Sequence, residues 1–243
     1  MRIEAIQLVL RPRSAWAGCD LGIRLLQANL RSVYGRHSVA VLICFAPCLA
    51  TYPIAGWLPV ALLWCAKPWL DRTSLFVLSR ALFGVPTTPG DVWTAQRKVW
   101  WHDVLASCTL RRCSGARSFI QPVRQLEGLV GESLRARLRQ IVPRQRNVAV
   151  LMTLAFVAAE FALVASVFSL QIWLAPRRFT APWETLLSGP SMEGVLAVAA
   201  YAFALAIIEP FYVAAGFGMY LNRRVELEAW DVEQEFRRAF APA

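Results

Sequence analysis

Two carboxylates, Glu160 and Glu209, stand alone in long apolar runs and are the residues best placed to do chemistry in this sequence. Each lies 12 residues from the expected cytoplasmic end of its run, at Val148 or Leu221. That distance is roughly 18 Å along a helix, near the middle of a bilayer. A carboxylate at that depth is costly unless it is paired, solvated or protonated. Both acids should therefore face the protein interior, where two close neighbours could share one proton.

This pair of acids leaves two interpretations open. In the functional one, they carry a proton or a cation across part of the membrane. In the structural one, they are neutral acids that hydrogen-bond between helices. Pro210 follows Glu209 directly, so it frees the carbonyl of Ala206 and could bend the helix beside the acid.

No other group of residues points to a reaction. Cys44 and Cys48 are four residues apart, and His102, Cys108 and Cys113 form a looser group, but neither set has the paired short spacings of a zinc site. We expect free thiols, no metal and no cofactor. Neither a glycine-rich phosphate loop nor a Gly-x-Ser-x-Gly elbow occurs in the sequence. The sequence thus predicts a protein that is not an enzyme.

Composition predicts an all-α integral membrane protein. Of the 243 residues, 57% are hydrophobic and only 17% are charged, and there are 10 Trp. The net charge of +10 could suggest nucleic acid. In a chain with several apolar segments, however, the side of the membrane on which Arg and Lys lie explains such an excess first. We expect no nucleic-acid partner.

The elements that position the two acids follow from the apolar runs. Residues 194–221 and 148–174 each carry one charge and are long enough to cross a bilayer core of about 30 Å. Residues 38–66 carry none, and the turn formers Pro53, Gly56 and Pro59 divide them into a hairpin of roughly 38–52 and 57–70. Its second helix would extend past Lys67, whose side chain would snorkel to the headgroups.

The distribution of positive charge favours about four spans with both termini cytoplasmic. With four spans, all 26 Lys and Arg except Arg177 and Arg178 lie on one side of the membrane, whereas three spans divide them poorly. The expected single domain, 1–243, comprises a cytoplasmic or interfacial segment (1–37), a helical hairpin (38–70), cytoplasmic amphipathic helices (71–147), a span (148–174), a periplasmic loop (175–193), a span (194–221) and a cytoplasmic amphipathic tail (222–243).

Amphipathic helices are predicted outside these spans. A helix over 20–34, capped by Asp20, would lie on the membrane or pack on the cytoplasmic part of the chain. His37 would be an interfacial polar residue. Further helices are expected from Asp71 to Phe83, from Pro89, and over 125–141. Five arginines on these elements are expected to contact lipid headgroups or a partner: Arg135, Arg137, Arg139, Arg223 and Arg224. For Arg135, Arg137 and Arg139, a solvated helix face is the alternative.

The last two spans also carry stripes of small residues that allow close helix packing. One stripe repeats every four residues: Ala202, Ala206, Pro210, Ala214 and Gly218. The other repeats at four and three: Ala155, Ala159, Ala162, Ser166 and Ser169. We expect the two spans to pack on each other, either within one chain or between two copies in a homo-oligomer.

Several runs resemble a group of proteobacterial inner-membrane proteins of unknown function: RPRS (11–14), DLG (20–22), KPWLDR (67–72), VLSRALFG (77–84), EPFY (209–212) and YLNRRVELEAWD (220–231). The resemblance covers most of the chain. Longer relatives in that group continue into a domain of unknown function that accompanies transglutaminase-like proteins, often beside genes for a MoxR-type ATPase. The last run is also loosely similar to the membrane domain of some glycerophosphodiester phosphodiesterases, whose chemistry belongs to a separate soluble domain.

The sequence therefore predicts a scaffold or accessory subunit of a bacterial envelope complex in the inner membrane. Its partners would be membrane lipids and other membrane or envelope proteins. The alternative is a transporter or proton-coupled protein that uses Glu160 and Glu209, with an enzyme acting on lipids a more distant third. The small number of spans and the lack of broken-helix repeats argue against an ordinary secondary transporter.

Overall fold

The computed structural model describes residues 13–95, 101, 114–174 and 191–228. Over these residues the chain is helical and has no β-strand, which confirms the all-α class. The helices are α1 (Ala15–Ala28), α2 (Leu30–Ala50), α3 (Leu58–Ala81), α4 (Pro89–Thr94), α5 (Arg117–Leu126), α6 (Gly131–Ile141), α7 (Arg146–Leu174) and α8 (Met192–Glu228), with a 3-10 turn at Pro143–Gln145. The segment 175–190 and the tail after Glu228 lie outside the described residues.

Three of the described helices are long and apolar enough to cross a membrane: Leu30–Ala50, Pro143–Leu170 and Met192–Glu228. They correspond to α2, α7 with its preceding turn, and α8. The chain thus has the composition of a helical membrane protein. α3 is of similar length, but Lys67, Asp71 and Arg72 interrupt its apolar sequence.

α8 is the central helix, because α1, α2, α3, α5 and α7 all pack against it. Residues 212–223 are buried without exception. Around residues 212–223 of α8, one apolar core contains Leu26, Phe119 and Phe217. Leu63 and Leu205 belong to a second core, against the hairpin. The helix continues unbroken through Pro210 to Glu228, so it includes the first residues of the expected tail.

α1 packs on α8 through glycine. A Cβ added at Gly22 would lie 1.9 Å from the carbonyl oxygen of Ala214, and one at Gly218 would lie 2.2 Å from the carbonyl oxygen of Gly18. Only residues without a side chain permit so close a backbone approach. The predicted cap at Asp20 is wrong: the N-cap of α1 lies six residues earlier, at Ser14, whose hydroxyl accepts a hydrogen bond from the Ala17 amide at 3.3 Å.

α2 and α3 form an antiparallel pair joined by a short turn at 51–57. The Tyr52 hydroxyl on this turn lies 3.2 Å from the Ser191 carbonyl oxygen, before α8. The prediction that a helix starts at Asp71 is wrong. α3 runs from Leu58 past this residue to Ala81, because the side chain of Asp71 is fully buried among other helices instead of capping an end.

The helix predicted over 125–141 is interrupted. α5 ends at Leu126, and Gly128 and Gly131 have φ values of 64° and 61°. A left-handed conformation ends an α-helix and is adopted most easily by glycine. Val130, between these two glycines, is 63% exposed.

Candidate functional site

A cluster of five charged side chains lies between four helices and contains both predicted acids. We call it the charge cluster: Lys67 and Asp71 from α3, Arg117 from α5, Glu160 from α7 and Glu209 from α8. The Lys67 ammonium lies 2.5 Å from Glu160 Oε2 and 3.2 Å from Glu209 Oε2. The Arg117 Nη2 lies 2.5 Å from Glu209 Oε1 and 3.0 Å from Asp71 Oδ2. Each carboxylate thus faces a cation.

The charge cluster is almost closed to solvent within the chain. Asp71 is 0% exposed, Glu209 2% and Glu160 9%. Ions in a medium of low dielectric constant interact more strongly than in water, but each also loses its hydration. Pairing with good geometry is what makes their burial tolerable.

The structure brings Glu160 and Glu209 to one site but places a cation between them. Their helices contribute no Lys or Arg at that depth, so the sequence interpretation considered direct sharing of a proton. Lys67 instead bridges the two acids at hydrogen-bond and ion-pair distance. The prediction that Lys67 snorkels to the headgroups is wrong, because its side chain turns inward to both carboxylates and is 7% exposed.

Three members of the charge cluster were missed from the sequence: Lys67, Asp71 and Arg117. The signal available for two of them was the four-residue spacing of Lys67 and Asp71, which places both on one face of a helix. Arg117 gave no comparable signal, since it lies in a basic region with many arginines. Its partner Glu209 is 92 residues away in the chain.

A cavity of about 180 Å³ adjoins the charge cluster and is lined by Lys67, Arg117, Glu160 and Glu209. Tyr212 also lines it. Its hydroxyl lies 3.2 Å from Thr153 Oγ1 and accepts from the Ser118 amide at 3.3 Å. The Arg117 guanidinium lies 5.2 Å from the centre of the Tyr212 ring, within cation–π distance. The cavity has the size and polarity to hold water molecules or a small ion.

His37 extends this polar region to α2. It is 0% exposed, which corrects the expectation of an interfacial position at the membrane edge. Its Nδ1 lies 2.9 Å from the Ser74 hydroxyl. Ser74 follows Asp71 by one turn of α3, so the imidazole is one turn from the charge cluster.

A second ionic network lies at the carboxyl-terminal end of α8. Arg137 donates to Glu127 at 2.9 Å and also to Glu228. Arg224 donates to Glu228 at 2.6 Å. Burial lowers the pKa of Arg137, but its hydrogen bonds to Glu127 and Glu228 raise it by more, so the net direction is upward.

The arginines expected at lipid headgroups thus separate into two sets. Arg135 and Arg139 are exposed on α6. Arg137 and Arg224 belong to the second network, and Arg223 bonds Glu226 at 2.7 Å and is 8% exposed. These last three were expected to contact headgroups or a partner, but their guanidinium groups face carboxylates of the same chain. α6 brings Arg137 to the end of α8, which the sequence pattern of α6 alone could not show.

The two spans pack on each other within the chain, as expected, but not through their small-residue stripes. Ala214 and Gly218 pack on α1, and Ala202 packs with the hairpin core. Pro210 is buried and Ala206 half-buried in the same helix. The stripe of α7 is exposed along its length: Ala155, Ala159, Ala162, Ser166 and Ser169.

The described cysteines carry no sign of a site. Cys19, Cys44, Cys48 and Cys65 are free thiols, and Cys19 lies 3.6 Å from the sulfur of Met152. Burial raises the pKa of the Cys19 thiol to about 12, which makes it unreactive. Within the described ranges, no group of three or more candidate ligands could hold a metal. The predicted group of His102, Cys108 and Cys113 lies outside the described residues.

Over the residues that the structure describes, the fold and the charge cluster together define the class of this chain: a helical protein with three helices able to cross a membrane and a buried ionic site between helices. No protein-family model, curated protein or solved structure matches the chain. The resemblance to proteobacterial inner-membrane proteins therefore stays a prediction.

Proposed function

We propose that this chain is a four-span protein of the bacterial inner membrane that acts as a non-enzymatic scaffold or accessory subunit of an envelope complex. One observation carries the proposal: each intramembrane acid faces a cation of the same chain, with Lys67 at Glu160 and both Lys67 and Arg117 at Glu209. Acids paired in this way hold helices in place. Removal of one partner of a buried pair typically costs about 3–5 kcal/mol.

α3 is the fourth span in this proposal. Its 24 residues are long enough to cross a bilayer core. Its charged residues lower its mean hydropathy, so hydropathy alone does not identify α3 as a membrane span. Lys67 and Asp71, however, are both paired with other helices and point away from lipid. An even number of crossings also keeps nearly all Lys and Arg on the cytoplasmic side.

Reporter tags test this topology. Tags after Ala243 and in the 84–90 loop are expected to report cytoplasm, and a tag in the 175–190 loop is expected to report periplasm. A periplasmic report from the 84–90 loop would contradict the four-span arrangement and the cytoplasmic termini together.

The outer surface of α7 supports an accessory role in the membrane. Leu154 and Phe161 are 58% and 73% exposed, beside the exposed stripe of small residues. Such a surface is compatible with lipid and with another membrane helix. Purification from native membranes followed by mass spectrometry is expected to recover a stoichiometric envelope partner. Recovery of the chain alone under mild detergent would count against the scaffold role.

A proton-coupled or cation-coupled role is the second candidate, favoured by the charges in the cluster. Among the described residues, its three carboxylates, Asp71, Glu160 and Glu209, pair with two cations, Lys67 and Arg117. Full ionisation would leave one buried negative charge, which is costly. One proton or one monovalent cation in the adjoining cavity would balance it.

Substitution by glutamine separates the two roles, because it keeps the shape and most hydrogen bonds but removes the ionisable group. The measurement is growth and envelope stress for Glu160→Gln, Glu209→Gln and the double variant, at checked membrane levels. The exposed Glu132→Gln is the matched control. The scaffold role predicts a wild-type phenotype wherever the protein accumulates normally. Loss of function at normal levels would favour the proton-coupled role instead.

A further inference from the structure

A groove separate from the charge cluster lies between α2, α3 and α4. Its volume is about 510 Å³, within the range of about 300–1,000 Å³ found for ligand pockets. Six of its lining residues matter here: Gly35, Arg36, Val39, Ile43, Val92 and Trp93. All but Arg36 are apolar or lack a side chain, so the groove suits a hydrocarbon.

Four of the groove residues form one face of α2. Gly35, Arg36, Val39 and Ile43 follow each other at spacings that return to the same side of a helix. Val39 and Ile43 are 54% and 59% exposed, although they belong to a helix that can cross a membrane. Arg36 lies roughly 9 Å from the start of this helix, and Ile43 lies roughly 10 Å deeper. The groove therefore runs from a cation into the apolar part of the helix.

Arg36 has a charge that the described chain does not neutralise. Its guanidinium donates to the carbonyl of Ser32 at 3.1 Å and to the carbonyl of Thr87. Its buried Nε has no hydrogen-bond partner among the described residues. Asp91, the acid of α4, pairs with Arg80 at 3.3 Å instead. A partly buried cation that faces no carboxylate, at the mouth of an apolar groove, is complementary to a phosphate with a hydrocarbon tail.

We propose that this groove binds one anionic phospholipid, with its phosphate at Arg36 and an acyl chain along Val39 and Ile43. Trp93 forms the wall of the groove contributed by α4, and indole rings favour the depth of lipid headgroups. The capping box of Thr88 and Asp91 fixes the start of α4, and the ion pair of Asp91 with Arg80 ties α4 to α3. The proposal requires α2 to lie in the membrane, but it does not depend on the charge cluster or on the number of spans.

Native mass spectrometry of the full chain in neutral detergent tests the site. Phosphatidylglycerol and phosphatidylcholine with identical acyl chains are added separately. The wild-type protein is expected to prefer phosphatidylglycerol by about fivefold, the effect of one cation near a headgroup. Arg36→Gln is expected to remove the preference, and Arg36→Lys to retain most of it. The exposed Arg31→Gln, on the same helix, is the matched control and keeps the wild-type preference.

A second variant tests the apolar part of the groove. A Cβ added at Gly35 meets no atom within 4 Å, so Gly35→Phe fills the groove without disturbing the helix packing. Gly35→Phe is expected to reduce binding of both lipids. Val39→Trp is expected to do the same and replaces Gly35→Phe if that variant cannot be purified. Circular dichroism checks that the helix content is unchanged. The proposal is overturned if Arg36→Gln keeps the preference, if Arg31→Gln loses it equally, or if the filled groove binds lipid as the wild type does.

Discussion

α1 and α7 both pack against α8, but they do so through different kinds of residue: glycines in α1 and a charged side chain in α7. α1 approaches the α8 backbone through Gly18 and Gly22, and Asn222 of α8 bonds both the amide and the carbonyl of Arg13, just before the helix, at 2.9 and 2.8 Å. α7 is far more apolar, yet most of its surface is exposed. Near its middle, α7 contacts the rest of the chain through the ion pair of Glu160 with Lys67 and through the Phe156 ring, which lies edge-on to Tyr212.

The comparison shows that hydropathy and burial are different properties in a membrane protein. Lipid is as apolar as leucine, so an apolar side chain gains little by leaving lipid for another helix. Close packing and polar pairing then decide which helices associate. α1 packs on α8 where glycines let the two backbones approach closely, and α7 is held where the charged side chain of Glu160 pairs with Lys67.

The largest effect is expected at the interface of α1. Gly22→Leu places a side chain against the Ala214 carbonyl, where even a Cβ would be only 1.9 Å away. Backbone cannot move aside as a flexible side chain can, so we expect a loss of about 5 kcal/mol in unfolding free energy, or failure to fold. Denaturant unfolding in detergent measures it.

Gly35→Ala is the matched control, because it adds a methyl group to a helix where no atom lies within 4 Å. It should be neutral or stabilise the protein by up to about 1 kcal/mol. Equal stability of Gly22→Leu and the wild type would contradict the close packing of α1.

The next effect is expected at the charge cluster. Lys67→Met removes the cation shared by Glu160 and Glu209 and leaves both acids without it in a buried site. We expect a loss of at least about 3 kcal/mol. Arg135→Met, an exposed cation on α6, serves as control and should change stability by less than about 0.5 kcal/mol. Similar losses in both variants would show that the position of the charge is unimportant.

The sequence alone predicted much of the fold but little of the site. The helical class and the spans at α7 and α8 follow from composition and length, which need no knowledge of neighbours. The two acids could be recognised because charge is rare in such helices. Their partners could not, since Lys67 and Glu160 are 93 residues apart and meet only through the packing of three helices. The break between α5 and α6 could have been predicted, because two glycines, Gly128 and Gly131, lie there.

The smallest effect is expected outside both interfaces of α8, at Asp91. Hydrogen bonds from Thr88 lower the pKa of this exposed acid. Its contribution to stability is therefore present above the ordinary pKa of aspartate and is lost as pH falls through the lowered folded value. We expect Asp91→Asn to unfold at a slightly lower temperature than the wild type at pH 7, and this difference to shrink below pH 4. A difference that grows with acidity would contradict the capping box.

A double-mutant cycle of Lys67→Met and Glu160→Gln tests most directly whether paired charges hold α7 in place. Unfolding free energies of the wild type, both single variants and the double variant are measured in the same detergent. If the pair attaches α7, the second substitution costs less once the first is made, with a coupling of about 2 kcal/mol. Additive effects, within about 0.5 kcal/mol, would contradict this account of the charge cluster.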